Sequence, residues 1–226
     1  MNKEKRASQF GRSMIEMLGV LAIIGVLSVG GISGYTEAMR KYKMTKTIEI
    51  VRASLFRLME IDQMKHGEGL EEIYGDVDLY VATGLLPEEI CDKNYVDILN
   101  GNAGESCQLP VGEIMISFAF GGGYPLHGEY FITFTDGNKE RNCVDFLSYH
   151  WEKITPKDWW NPTASEMPGG TIWAGGQTIY AGKKEYAEQE HIPTELTMDN
   201  IAKACHEACK SRPNWCHVEL SFRNEY

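Results

Sequence analysis

The chain is expected to fold as an α+β protein in which one long N-terminal helix packs on an antiparallel β-sheet, with a C-terminal region held by disulfides. Three observations predict this. Residues 17 to 36 form twenty consecutive uncharged, mostly aliphatic positions, and residues 12 to 64 contain no proline. Beyond residue 113 the pattern changes to short alternating segments punctuated by Gly and Asp-Gly. All six cysteines, Cys91, Cys107, Cys143, Cys205, Cys209 and Cys216, lie after the apolar run.

The apolar run sets the terms for the rest. At about 1.5 Å per helical residue, twenty residues cross roughly the hydrocarbon thickness of a bilayer. A basic leader with Lys3, Lys5 and Arg6 precedes it, as it would a signal peptide or a membrane anchor. Neither fits fully. The run is longer than a signal peptide's apolar core and passes without a break into Glu37-Ala38-Met39-Arg40-Lys41-Tyr42-Lys43. Glu16 stands at its mouth, where a carboxylate in or near lipid is costly unless it is matched by a cation.

Gly11, then Arg12-Ser13-Met14-Ile15-Glu16, then the aliphatic run, resembles the prepilin-type cleavage and methylation motif of type IV pilins and their pseudopilin relatives. The resemblance implies cutting between Gly11 and Arg12 by a membrane-embedded prepilin peptidase, which then methylates the new terminal amine. Glu16 becomes the fifth residue of the mature subunit, the position thought in that family to pair with a neighbour's N-terminal amine. Arg12 departs from the pattern, since the family usually has an apolar residue there. With the wider helix, the resemblance reaches to about residue 60.

The resemblance also implies how the chain divides. Residues 1–11 form a leader peptide and 12–66 the long helix, with 12–36 as membrane span and later filament core. Residues 67–112 form a connecting loop, and 113–226 carry the sheet and the C-terminal disulfide region, in the manner of the larger type IVb-like subclass. The localisation implied is the inner membrane, crossed once with the C-terminal domain outside the cytoplasm, and then an extracellular pilus.

Composition is compatible with this reading. Lys and Arg number 22 against 32 Asp and Glu, a net charge of -10, and loss of the leader's three bases and one acid lowers it to about -12. An acidic surface argues against nucleic acid as the main partner. An even number of cysteines confined to one side of the apolar run points to an oxidising compartment, with 15 possible complete pairings. Charge leaves topology open, because Lys3, Lys5, Arg6 and Arg12 on one flank are balanced by Arg40, Lys41, Lys43 and Lys46 on the other.

Within the helix, Ile48, Val51, Leu55, Leu58, Met59 and Met64 recur at steps of one to five residues and mark an apolar stripe. The first half is apolar all round and interrupted by Gly19, Gly25, Gly30, Gly31 and Gly34. One account is close packing of membrane helices. The sharper one makes Gly30, Gly31 and Gly34 a weak point, each glycine costing about 1 kcal/mol of helix propensity relative to Ala. The resemblance agrees, since many pilins have a helix-breaking residue near Ser33. His66-Gly67-Glu68-Gly69 reads as the helix end.

Cys91 and Cys107 flank the irregular region that follows and are expected to pair, the alternative being that one of them reaches Cys143. Glu113 to Phe120 and Glu129 to Thr135 read as strands. Asp136-Gly137 reads as a hairpin turn into a third strand over Glu140 to Leu147. Tyr149-His150-Trp151, Trp159-Trp160-Asn161-Pro162 and Trp173 lie in a Pro- and Gly-punctuated insertion with little regular structure. Their rings either plug a small core or form a surface platform for a glycan, a peptide or a neighbouring subunit. Leu196 to Asn200 opens a last helix through Cys209, capped by Thr197 or Asp199, and Cys216 to Phe222 alternates as a terminal strand. Cys216 is expected to bond Cys205 or Cys209, leaving the other for Cys143.

Cys205, His206, Cys209, Cys216 and His217 have the right atoms for zinc but lack Cys-x2-Cys spacing. No haem-attachment motif, nucleophile elbow, phosphate loop, dinucleotide fingerprint or His-Glu-x-x-His is present. The expectation is a protein without cofactor or metal that is not an enzyme. The resemblance implies a structural subunit of a type IV pilus, a homo-oligomer in a helical filament, whose partners are the peptidase, the assembly platform and other minor pilins. Alternatives are a minor pilin, a type II secretion pseudopilin, or a non-polymerising bitopic membrane protein with a ligand-binding outer domain.

Overall fold

The structure is a computed structural model that describes residues 7–64, 71–74, 77–91, 106–121, 124–149, 151, 171–174, 177–181, 188–193, 195–211 and 214–223. It is an α+β protein with a long apolar N-terminal helix, an antiparallel sheet and three disulfides. The chain divides into two compact units, residues 1–43 and 44–226. Helix α1 runs from Ala7 to Met64, so helical backbone begins before Gly11 and continues unbroken through Gly30 to Gly34. In the second unit, α1 buries Met44, Thr47, Val51, Ser54, Leu55, Leu58 and Ile61, the stripe expected of an amphipathic helix.

The sheet has seven strands. β1 (Glu71–Tyr74), β3 (Glu113–Gly121), β4 (Tyr124–Phe134), β7 (Cys216–Arg223), β5 (Thr171–Ala174) and β6 (Gln177–Ala181) lie side by side in that order, and β2 (Cys107–Gln108) also pairs with β3. All pairings are antiparallel. Period-two alternation gives the sheet one covered face. Ile116, Tyr130, Leu220 and Ile172 are partners across four strands, and so are Ile114, Ile132, Val218 and Ala174. All eight are buried. The opposite parity is more mixed, with Ser117, Glu129, Phe131, His217 and Glu219 half-buried and Glu113, Met115, Thr133 and Ser221 buried.

Several polar groups enter this core with partners, whereas the buried Ser106 hydroxyl has none among the described residues. The Ser54 and Tyr130 hydroxyls are 2.9 Å apart, and the Thr47 hydroxyl accepts the Val111 N–H at 3.0 Å. The phenol of Tyr80, on α2 (Val77–Ala82), accepts the Ile116 N–H at 3.1 Å and donates to the Ile116 carbonyl. β1 pairs with residues 117–120 of β3 and β2 with residues 113–114. Tyr80 thus serves the backbone of Ile116 in the gap between those two strands, where an unpaired buried peptide group would be costly.

Two expectations are corrected here. Residues 140–147 are not a third strand but lie in helix α3 (Lys139–Leu147). Asp136 is the reason: its carboxylate accepts the Asn138 N–H at 3.0 Å and the Asn142 side-chain amide at 2.9 Å, so the Asp-Gly pair opens a helix and makes no hairpin. Asn142, Cys143, Phe146 and Leu147 then form a buried face at helical spacing. The insertion is not without regular structure either, since β5 and β6 pair within it. Trp151 packs on Phe146 with ring centroids 4.7 Å apart and donates its indole N–H to the Phe146 carbonyl at 2.8 Å. That ring fills the core. Trp159, Trp160, Asn161 and Pro162 lie outside the described residues.

The last helix, α4 (Met198–Ser211), and β7 stand where the pattern placed them. The Thr197 hydroxyl accepts the Asn200 N–H at 3.3 Å, the geometry of an N-cap.

Candidate functional site

In the first unit, the large apolar side chains of α1 from Met14 to Tyr35 are between 52% and 74% exposed. Side chains of this size in water cost about 1.5 to 3 kcal/mol each relative to burial, so this surface calls for a non-aqueous surrounding. The helix is long and apolar enough to cross a membrane. Two hydroxyls within or at the edge of the run are satisfied internally, Ser28 on the Ile24 carbonyl at 2.7 Å and Thr36 on the Ser33 carbonyl at 2.9 Å. These local bonds were not singled out from the sequence; the signal was the ability of Ser and Thr to bond back one turn.

Glu16 projects from this surface, exposed, two residues after Met14 and ahead of the twenty-residue run. Gly11 and Arg12 lie in the same helix, in its first turns. The glycines add a second observation. A Cβ built on Gly19, Gly25, Gly30, Gly31 or Gly34 meets nothing within 4 Å. The fold of a single chain therefore has no steric need for glycine at these positions.

The cysteines belong to the second unit. Cys91 is bonded to Cys107, Cys143 to Cys205, and Cys209 to Cys216. The first bond ties the segment after α2 to β2, at a sequence separation of 16. The other two leave neighbouring turns of α4, one reaching α3 and one reaching the covered face of β7. Cys205 and Cys209 share a helix face, which places both sulfurs toward the core, and all four of these cysteines are buried.

The thiolates that a zinc site would use are consumed in these bonds. Of the two imidazoles near them, His206 meets Glu140 at 3.1 Å, and His217 stacks on Phe131 with Trp215 edge-on to it. Among the described residues, no group of three or more His, Cys, Asp or Glu is placed to hold a metal ion. Burial pushes the Tyr130 phenol's pKa up; its bond to Ser54 lowers it in part and Tyr80 adds to the rise. A neutral phenol of this kind is suited to hydrogen bonding within the core. What the arrangement offers chemically is thus a cross-linked second unit and an exposed apolar stretch, Met14 to Tyr35, with one carboxylate, Glu16. No protein-family model matches the chain, and neither a curated protein nor a solved structure matches it.

Proposed function

We propose that the chain is a subunit of a type IV pilin-like filament, held in the inner membrane by α1 until a prepilin peptidase cuts between Gly11 and Arg12. The observation that carries this reading is the exposed apolar surface of α1 from Met14 to Tyr35 with a single carboxylate, Glu16, near its start. Such a helix is stable in lipid or against copies of itself. The carboxylate distinguishes the two, because in lipid it is a penalty, whereas beside the cationic terminal amine of a neighbouring subunit it is matched.

Supporting the same reading are the five glycines with open space around them, which permit helix backbones of adjacent copies to approach closely. The disulfide-bonded outer unit fits exposure to an oxidising compartment. In this mechanism the helix supplies cohesion and Glu16 supplies axial register. The partners are other copies of the chain, minor pilins, the peptidase and the assembly platform, and the mature subunit works in an extracellular pilus.

Mass spectrometry of the terminus tests processing: the reading expects a chain beginning at Arg12, and an intact Met1 in cells holding the peptidase overturns it. Assembly is tested separately. A Glu16→Gln chain is expected to be processed and folded yet to polymerise severely slowly; filaments at the normal rate remove Glu16 from the mechanism.

A further inference from the structure

The apolar surface of α1 does not stop where its uncharged run stops. Ile32, Tyr35, Met39 and Tyr42 follow at steps of three, four and three residues, a helical stripe that carries the lipid-facing side about two turns past Gly34. Tyr35 and Tyr42, seven residues apart, are 66% and 58% exposed. Cations border this stripe. Arg40 forms a fork on Glu37 with contacts of 3.1 and 3.2 Å, and Lys41 reaches the same carboxylate at 4.0 Å. Lys43 is exposed, and Lys41 keeps 69% of its side chain in the open. From Tyr35 to Lys43 the chain holds three cations against one carboxylate.

The axial positions matter as much as the signs. If residues 17–36 fill the hydrocarbon layer, Lys41 lies roughly 7 Å and Lys43 roughly 10 Å beyond its edge at 1.5 Å per residue. The headgroup layer adds about 5 to 8 Å on each side of a bilayer core, so Lys41 lies within it and Lys43 just past it, within reach of its side chain. Tyr rings favour the same layer, and lysine stems extend along apolar surface to bring the ammonium to phosphate.

We propose that Tyr35–Lys43 is a collar that binds anionic phospholipid, with Lys41 and Lys43 on the headgroup phosphates and Tyr35 and Tyr42 as the rings beside them. The proposal rests on the membrane-spanning part of the reading above and concerns a site separate from Gly11, Arg12 and Glu16. Charge complementarity selects the occupant, because a zwitterionic headgroup offers the same phosphate with its charge already balanced. Each juxtamembrane cation multiplies affinity for an anionic surface by roughly five. The consequence for assembly is that a subunit leaving the membrane sheds these lipids before its neighbours cover the helix.

The test is native mass spectrometry of the full-length chain in detergent, offered equal amounts of phosphatidylglycerol and phosphatidylethanolamine. Wild type is expected to retain phosphatidylglycerol over phosphatidylethanolamine by about fivefold or more. Lys41→Gln/Lys43→Gln is expected to bring the ratio within about twofold of unity and Lys41→Arg/Lys43→Arg to restore it, on the basis of the same charge term. Millimolar inorganic phosphate is expected to leave the lipid adducts in place. An unchanged ratio in the double Gln variant, or displacement by inorganic phosphate, overturns the collar. So does a lipid-free dimer that the double Gln variant abolishes, which reassigns the stripe to a second copy. The mass of the protein itself reports whether the leader is present, so failure of processing is read independently of the lipid ratio.

Discussion

The phenol oxygen of Tyr80 bonds both the N–H and the C=O of Ile116. One side-chain atom thereby stands in for a strand partner at the place on β3 that neither β1 nor β2 covers. Tyr80→Phe keeps the ring but leaves both peptide groups buried without that partner. The expected cost is about 1 to 3 kcal/mol, read as a lower urea midpoint for the full chain in detergent. Faster hydrogen exchange at the Ile116 amide is the second signature, and unchanged exchange there shows that the bond is dispensable.

The Tyr130 phenol predicts a pH dependence. Burial raises its folded pKa above the ordinary tyrosine value, so above pH of about 10 the unfolded chain loses a proton that the folded chain retains. The unfolded state then binds fewer protons, and stability falls as pH rises. The contribution is fully present below pH of about 10 and declines above it. Tyr130→Phe is expected to flatten the slope between pH 10 and 11 by about 1 kcal/mol per pH unit, most of one proton's worth. Parallel stability curves for the two proteins contradict this.

The two disulfides of α4 are unequal in what they constrain. Cys143–Cys205 spans 62 residues and Cys209–Cys216 spans 7. In the chain-entropy account, the long loop is worth about 4 kcal/mol and the short one about 2. Replacing both cysteines of each pair by Ser, one pair at a time, is therefore expected to lower the unfolding temperature more for Cys143 and Cys205. The reverse order would place the weight on local packing around β7.

Glycines in the two units are expected to respond oppositely to alanine. Gly112 has φ +84, and a Cβ there runs into the Thr133 carbonyl oxygen and comes within 3.0 Å of Phe134. Its own carbonyl accepts the Leu109 N–H at 2.9 Å and the Gln108 side-chain amide at 2.8 Å, so the turn cannot readily shift. Gly112→Ala is expected to destabilise by at least about 1 to 3 kcal/mol. Gly30→Ala and Gly31→Ala meet open space and are expected to add helix stability of up to about 1 kcal/mol each. Loss of filaments in chains stabilised this way would connect those glycines to packing between copies, and normal filaments would show that the space is not used.

Much of the fold was legible. The stripe through Val51, Leu55 and Leu58 and the alternation through Ile114, Ile116, Val218 and Leu220 each follow one period, and period is what sequence displays directly. Asp136-Gly137 misled because the same dipeptide suits a hairpin and a helix entry. Only the distance from Asp136 to Asn142 decides between them, and it depends on the fold already formed. β5 and β6 are short, and their alternation is hidden among Trp and Gly. Tyr80 carries no signal at all, since its role exists only once β1 and β2 leave their gap. Glu16 was conspicuous for an opposite reason: a charge beside an aliphatic run needs no tertiary structure to be noticed.

The order of strands has a consequence for how the protein is made. β7 is the last described strand along the chain, yet it lies between β4 and β5 in the middle of the sheet. β4 and β5 emerge from the ribosome earlier, each with one edge that only β7 covers. The apolar helix is synthesised first, long before the second unit has a centre to condense on. Until β7 is made, the second unit holds a two-part sheet, β1-β3-β4 and β5-β6, that only β7 can join. Cys216, the partner of Cys209, arrives with β7, so that disulfide too closes only at the end.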